Sequence, residues 1–342
     1  MSHKNLSAKI KIPRILKDKL NNKKINQIYK KFENSLNLNE SFAVGVSGGP
    51  DSLALAFLSK IYSLKKNITS KFFIVDHKLR TGSTNEAKLV KKTLKRHFIK
   101  AEILTWKGKK PSKNVQSRAR KKRYDLLFDK CKRLNINNIL LGHHSEDLIE
   151  NFFIRMIRGS GLKGLTSLEK KNSLNDVNLL RPLLNEKKKN LVFLSKGVFN
   201  FYVEDPSNND DKYLRIRIRK MMYEFEKNGL DKKKILNTIK NLKNSNEVVN
   251  FYVNKNIKEN TVSSNNENKV ILKNEFFNHS YEVIFRSLSD VLKLVSKRYY
   301  SVRGKKLDKF INSIENDKSF KVTLGGCIIE RVNQTIIIAK EH

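Results

Sequence analysis

The stretch FAVGVSGGPDSLALAFL, residues 42–58, constrains the chain more than any other. An apolar run, two adjacent glycines with a proline, and an apolar run of helical length read as strand, tight turn and helix. Gly48 and Gly49 let the backbone approach an anion closely, and Pro50 suits the first helical position, where its missing donor costs nothing. The free N–H groups of the helix start then face the turn, so the stretch is a cradle for phosphate. No part of the chain matches the Walker pattern G-x-x-x-x-G-K-[ST], whose lysine reaches the β and γ phosphates. Asp51 beside the cradle repels phosphate unless a divalent cation lies between them, which argues for magnesium. The plainer alternative is an ordinary helix start, with Asp51 and Ser52 as partners of the helix dipole.

Strand-like and helix-like text alternates from there: KFFIVDH then Thr84 to Arg96, AEILTW then Gln116 to Leu134, NNILLGHH then Ser145 to Arg158. That rhythm predicts an α/β domain with a parallel sheet covered on both faces. Such sheets bind ligands beyond the C-terminal ends of their strands, where VSGG, VDHKLR and LGHHSED fall. After Pro206 the alternation stops, and charged helical text runs from about Met221 to Lys258, interrupted at Asn228-Gly229. LRIRIRK, residues 214–220, alternates like a strand yet runs into MMYEFEKN, so a basic entry into a helix is expected. TVSSNNENK (261–269) reads as a linker, followed by helices around Ser287 to Lys297 and Lys305 to Ile314. SFKVTLGG, CIIERV and TIIIAKE predict a small antiparallel meander turned at Gly325-Gly326 and Asn333-Gln334. The expected division is a basic tail over 1–23, a catalytic domain over 24–218, a helical module over 219–260, the linker, and an α+β module over 270–342.

Charge adds a partner. Lys and Arg number 71 against 33 acids, a net charge of +38, which points to a polyanion such as nucleic acid. A general drift of composition, in which lysine travels with Asn and Ile, is the competing source of that excess. Only Cys131 and Cys327 are present, and they form no C-x-x-C pair, so neither a disulfide framework nor a zinc or iron–sulfur site is indicated. The basic N-terminal stretch has no apolar core of signal-peptide length, and no segment approaches a membrane span. A soluble, cytoplasmic protein is the expectation.

Ser47-Gly48-Gly49-Pro50-Asp51-Ser52 also resembles the fixed positions of the PP-loop, or N-type ATP pyrophosphatase, superfamily. The resemblance implies an adenine nucleotide alpha hydrolase-like fold and cleavage of ATP between its α and β phosphates. VDHKLR (75–80), VQSRARKKRYDLL (115–127), LGHHSEDLIENFFIRMIRGSGLKGL (141–165), RPLL (181–184) and VEDPSNND (203–210) follow in order. In that order they look like the tRNA(Ile)-lysidine synthetase family. The similarity is strong over about 40–220 and weaker beyond. It implies ATP and Mg2+, tRNA(Ile) with a CAU anticodon, free L-lysine, and an adenylated cytidine intermediate; dimers occur in the family, so a homodimer is an expectation too. ATP is assigned to residues 47–52 with Asp76 and His77, and metal to Asp51 and Asp147. Catalysis falls to Asp51, Asp147 and Glu150. The tRNA or substrate side receives Arg80, Arg118, Arg120 and His143, together with His144, Arg158, Arg181 and Arg215. A tRNA thiolase of the same superfamily and a catalytically silent RNA-binding protein are the rivals.

The residues support part of this unaided. A helix capped at Ser145 puts Glu146 and Asp147 in its first turn, where negative charge is favoured, and Asp147 and Glu150 on one face. Ile149, Phe152, Phe153, Met156 and Ile157 are expected as its buried stripe, with the acids pointing elsewhere. Solvated helix acids are the alternative. No H-E-x-x-H motif accompanies His143 and His144, so a metal role for them is discounted; one contacts substrate and the other packs or caps. Packing is an equal alternative for His77, as is a helix-surface role for part of the arginine set Arg118, Arg120 and Arg123. Departures from the usual family text fall at Glu146, Leu148, Asn151 and Ile216.

Overall fold

The computed structural model describes residues 12–108, 111, 115–174, 177–204, 211–264, 268–298, 302–314 and 319–341. The chain forms two compact units, Met1–Asn237 and Thr238–His342. In the first, α1 (Arg14–Leu20) and α2 (Lys23–Asn34) precede β1 (Phe42–Val46), α3 (Pro50–Lys66), β2 (Ser70–Asp76) and α4 (Ser83–Arg96). Then come β3 (Ala101–Thr105), α5 (Val115–Arg133), β4 (Asn138–Leu140), α6 (Ser145–Ile157) and α7 (Leu162–Leu165). The hairpin of β5 (Lys171–Leu174) and β6 (Val177–Leu180), then α8 (Lys188–Phe199) and α9 (Leu214–Lys227), complete it.

The sheet order is β3-β2-β1-β4-β6-β5. Pairing is parallel from β3 through β6, and β5 adds an antiparallel edge. Successive residues of β1 serve opposite faces: Phe42, Val44 and Val46 join the core with α2, α3 and α8, whereas Ala43 packs with Leu127, Phe128 and Cys131 of α5. This two-face burial is why β1 reads as an unbroken apolar run. Helix α3 is apolar nearly all round because it is buried nearly all round, from Ser52 through Tyr62 apart from a half-exposed Lys60.

The segment read as a tail departs from that expectation. Residues 1–11 lie outside the described set, but α1 buries Leu16 completely and α2 buries Ile25, Ile28, Tyr29 and Phe32 in the same core as α3. Asn22 caps α2, accepting hydrogen bonds from the N–H groups of Lys24 and Ile25.

The second unit takes up most of α10 (Lys232–Asn260), followed by β7 (Thr261–Ser263), β8 (Lys269–Leu272), a 3-10 turn over Asn274–Phe277, α11 (Tyr281–Ser296) and α12 (Gly304–Ile314). The meander β9 (Lys321–Leu324), β10 (Cys327–Val332) and β11 (Thr335–Lys340) ends it. The linker reading of 261–269 is corrected: β7 pairs antiparallel with β8, and both join a five-stranded sheet of order β7-β8-β11-β10-β9. Polar composition mimicked a linker because Thr261, Val262 and Ser263 lie on a mostly exposed edge. LRIRIRK is helical, as expected, with the alternate isoleucines Ile216 and Ile218 buried.

Candidate active site

The order in which strands are added reverses at β1, with β2 on one side and β4 on the other, all parallel, and the crevice of such a sheet opens at that point. Three segments meet there: the turn after β1, the start of α3, and residues 141–144 leading into α6.

The turn is built by its own serine. Ser52 Oγ accepts from the N–H groups of Ser47 and Gly48, each at 3.1 Å, and donates to Gly49 O at 2.9 Å. Ser47 Oγ lies 3.2 Å from it. Gly48 has φ +89°, and a Cβ there would sit 2.6 Å from Val90 Cγ2, so the position admits only glycine. At Gly49 a Cβ would meet nothing nearer than Ser47 Oγ at 3.9 Å, which leaves the cradle open on that side. Gly142 is a close approach that sequence reasoning missed. Its Cβ would lie 3.1 Å from Asp51 O, so the segment leading to α6 presses against the start of α3.

His144 sits at the centre, 2% exposed. Its Nε2 is 3.5 Å from Asp51 Oδ2 and 3.6 Å from Asp147 Oδ2, and its Nδ1 is 3.2 Å from Glu146 Oε2. Burial opposes its protonation, but hydrogen bonds to Asp51 and Glu146 and the charge of Asp147 outweigh it and push its pKa up to about 10. The ring therefore lies among three carboxylates whose charge favours its protonated form. Glu146 is held down to about 2: burial opposes the shift, and bonds from His144, the Lys188 N–H and Ser145 reverse it. His143 behaves oppositely. Burial pushes it down to about 3; Asp147 opposes that, and Arg181, Arg120 and Arg215 reinforce it, so it is neutral.

Asp147 and Glu150 are not solvated. They are 8% and 4% exposed, whereas Met156 and Ile157, expected in the buried stripe, are 49% and 53% exposed. The stripe is corrected accordingly: α9 covers the acidic face. Arg215 Nε donates to Glu150 Oε2 at 2.6 Å and its Nη2 to Asp147 Oδ1 at 3.1 Å. Arg219, one turn further along α9, donates from Nε to Glu150 Oε1 at 2.5 Å. Arg219 was missed. Its i, i+4 spacing from Arg215 was the available signal, hidden by the strand-like alternation of LRIRIRK.

The other expected residues divide: Arg120 and Arg181 lie close enough to His143 to help lower its pKa, and the rest are engaged locally. Asp76 has its carboxylate filled by Lys78 N, Ser83 Oγ and Thr84 Oγ1, so it shapes the loop after β2. His77 lies edge-on to Trp106, with ring centroids 6.2 Å apart, and burial with the nearby Arg123 pushes it down to about 4. Arg80 makes a two-bond pair with Glu86. Arg118 is exposed on α5, and Arg120 lies over the Tyr124 ring. Arg181 is buried and donates to Glu169 O and Asn172 Oδ1. Arg158 caps the far end of α6, roughly 16 Å along the axis from Asp147 at 1.5 Å per residue. Of VEDPSNND, residues 205–210 lie outside the described set.

Among the described residues no group of three or more His, Cys, Asp or Glu side chains is arranged to hold a metal by itself. A magnesium ion needs less, since one or two carboxylates plus substrate phosphates suffice. Asp51 fits that demand: its Oδ1 is buried without a hydrogen-bond partner, beside the open cradle. Asp147 fits only in part, because Arg215 and the His144 N–H already occupy it.

A parallel sheet with a glycine turn and helix start at its crevice, and no phosphate-reaching lysine, defines a PP-loop ATP-using domain. The model of the PP-loop domain family matches residues 18–225. Curated relatives narrow the class. The chain is 34% identical over 317 residues to the tRNA(Ile)-lysidine synthase of Orientia tsutsugamushi strain Boryong, covering 89% of this chain and 70% of that one. It is 33% identical over 329 residues to the tRNA(Ile)-lysidine synthase of Rickettsia bellii strain OSU 85-389, covering 92% and 74%. The chain belongs to the tRNA(Ile)-lysidine synthase family. Among solved structures, a U34-tRNA thiolase from Methanococcus maripaludis with a [4Fe-4S] cluster superposes with TM-score 0.56 at 20% identity, covering 64% of this chain and 78% of that one. That likeness concerns the fold alone.

Proposed function

We propose that this ATP-using enzyme ligates free L-lysine to carbon 2 of the wobble cytidine in tRNA(Ile) with a CAU anticodon. The observation that carries the reading is the convergence of an open glycine cradle, Asp51, and the Asp147–Glu150 pair at one crevice. ATP lies with its outer phosphates on the turn at Gly48 and Gly49 and on the free N–H groups of α3, which leaves the α phosphorus exposed. Asp51, joined by Asp147, would hold Mg2+, which supplies charge withdrawal from the phosphates. Cytidine O2 attacks the α phosphorus; a P–O bond to the adenylated base forms and pyrophosphate leaves.

The base oxygen then departs as AMP when the unprotonated ε-amine of lysine attacks carbon 2. Asp147 and Glu150 bind the incoming ammonium and take its proton. A target base in a loop must be splayed out to reach the crevice, and a protein of net charge +38 grips the surrounding phosphates. Neither cysteine is suited to deliver sulfur, because burial raises Cys131 to about 12 and Cys327 to about 11. No described helix is long and apolar enough to cross a membrane.

The test is incubation with ATP, radiolabelled lysine and a CAU-anticodon tRNA(Ile) transcript. Label in the RNA, with AMP and pyrophosphate in equal amounts, is expected. Folded protein that leaves the RNA unlabelled, or that makes ADP, sinks the reading.

A further inference from the structure

The carboxylates assigned to the lysine ammonium are already occupied by cations of the same chain. Arg215 bridges them, with Nε on Glu150 and Nη2 on Asp147, at 2.6 and 3.1 Å. Arg219 differs: it meets Glu150 alone, through Nε to Oε1 at 2.5 Å and Nη2 to Oε2 at 3.3 Å. An ammonium that engages both acids needs the bridging place, so it cannot bind while Arg215 holds it. Glu150 keeps a counter-charge from Arg219 when Arg215 leaves, so departure does not strand a buried anion.

We infer that Arg215 is a built-in stand-in for the substrate ammonium, held on Asp147 and Glu150 until a phosphate of the bound RNA draws its guanidinium away. Arg215 sits in the first turn of α9, with its side chain 40% exposed, so the guanidinium has a path to solvent. Exposed Arg217 and Lys220 share the segment and attract the same polyanion. A guanidinium exchanges carboxylate for phosphate readily, since both accept its paired donors. The device imposes an order: RNA first, amine second. Free lysine then does not occupy the acids before an activated base is present. This inference rests on the lysine-ligating reading above.

The experiment is calorimetric titration of the full chain, without RNA, with L-lysine and with L-norleucine, which keeps the α-amine but lacks the ε-amine. R215A is expected to bind lysine at least about ten-fold more tightly than the unaltered chain, with no gain for norleucine. R219A, which leaves the bridge in place, is expected to change lysine affinity less than about three-fold, and R215A combined with D147N to lose the gain. R215Q, a smaller change to the fold that removes the charge, is expected to gain as R215A does. Should R215A misfold, R215Q without any gain overturns the inference. Equal gains for lysine and norleucine, or equal gains in R215A and R219A, overturn it too, since they report a loosened cavity or a general field. The unaltered chain labelling tRNA while R215A shows no gain removes the stand-in and leaves the activity. No labelling by the unaltered chain removes the activity on which the stand-in depends.

Discussion

Gly48 and Asp51, three residues apart, fail in different ways when changed. Alanine at 48 must adopt φ +89° and place its Cβ 2.6 Å from Val90 Cγ2. A strained αL residue costs on the order of 1–3 kcal/mol, so Gly48→Ala is expected to lower the melting temperature and to abolish ATP-dependent pyrophosphate release. Asp51→Ala removes a carboxylate at the mouth of the cradle and one of the three around His144. It is expected to end modification while tRNA retention on a filter stays nearly unchanged. Full activity in that variant removes the metal assignment. The need for glycine at 48 was legible in the sequence because the turn that requires it is local. Ser52 was legible as a residue of the loop but not in its role, since its hydroxyl closes a ring of backbone bonds visible only in the folded turn.

At the scale of elements, the start of α6 is held by ionised groups. Glu146 sits near 2 in the folded chain against an ordinary 4.5, so its contribution is full above about 4.5 and is lost as pH falls toward 2. His144 sits near 10 against 6.5, so its contribution is full below 6.5 and is lost as pH rises through 10. Melting temperature is therefore expected to decline on both sides of that window. Glu146→Gln is expected to lower it at pH 6 and to flatten its fall between pH 4.5 and 2; an unchanged acid limb rules the arrangement out. Parallel strands and their helices were legible as apolar runs and periodicity. The α6 stripe was misread because the pattern of Phe152, Phe153, Met156 and Ile157 does not report that α9 lies over the acids instead. Leu55 in α3 is fully buried, and Leu55→Ala is expected to cost about 2–5 kcal/mol in denaturant unfolding.

For the whole molecule, a net charge of +38 makes RNA binding an ion-exchange reaction. Affinity for tRNA is expected to fall at least about 100-fold between 50 and 200 mM salt, with a linear log–log slope. A flat salt response means that the excess of lysine is compositional drift. The change of texture after residue 206 does not mark the boundary between the two units, which lies at Asn237/Thr238 inside α10, where helical text continues without a break.

By itself the sequence determined the strand–turn–helix cradle and the parallel sheet, because those follow from contiguous residues whose backbone preferences and apolar spacing are local properties; the family came from the resemblance of its motifs. Only the tertiary structure decided which charges meet. His144 gathers Asp51, Glu146 and Asp147, and Arg215 and Arg219 cross 65 to 69 residues of chain to reach Glu150. Pairing of buried charges depends on distance and desolvation in space, and neither is written along the chain.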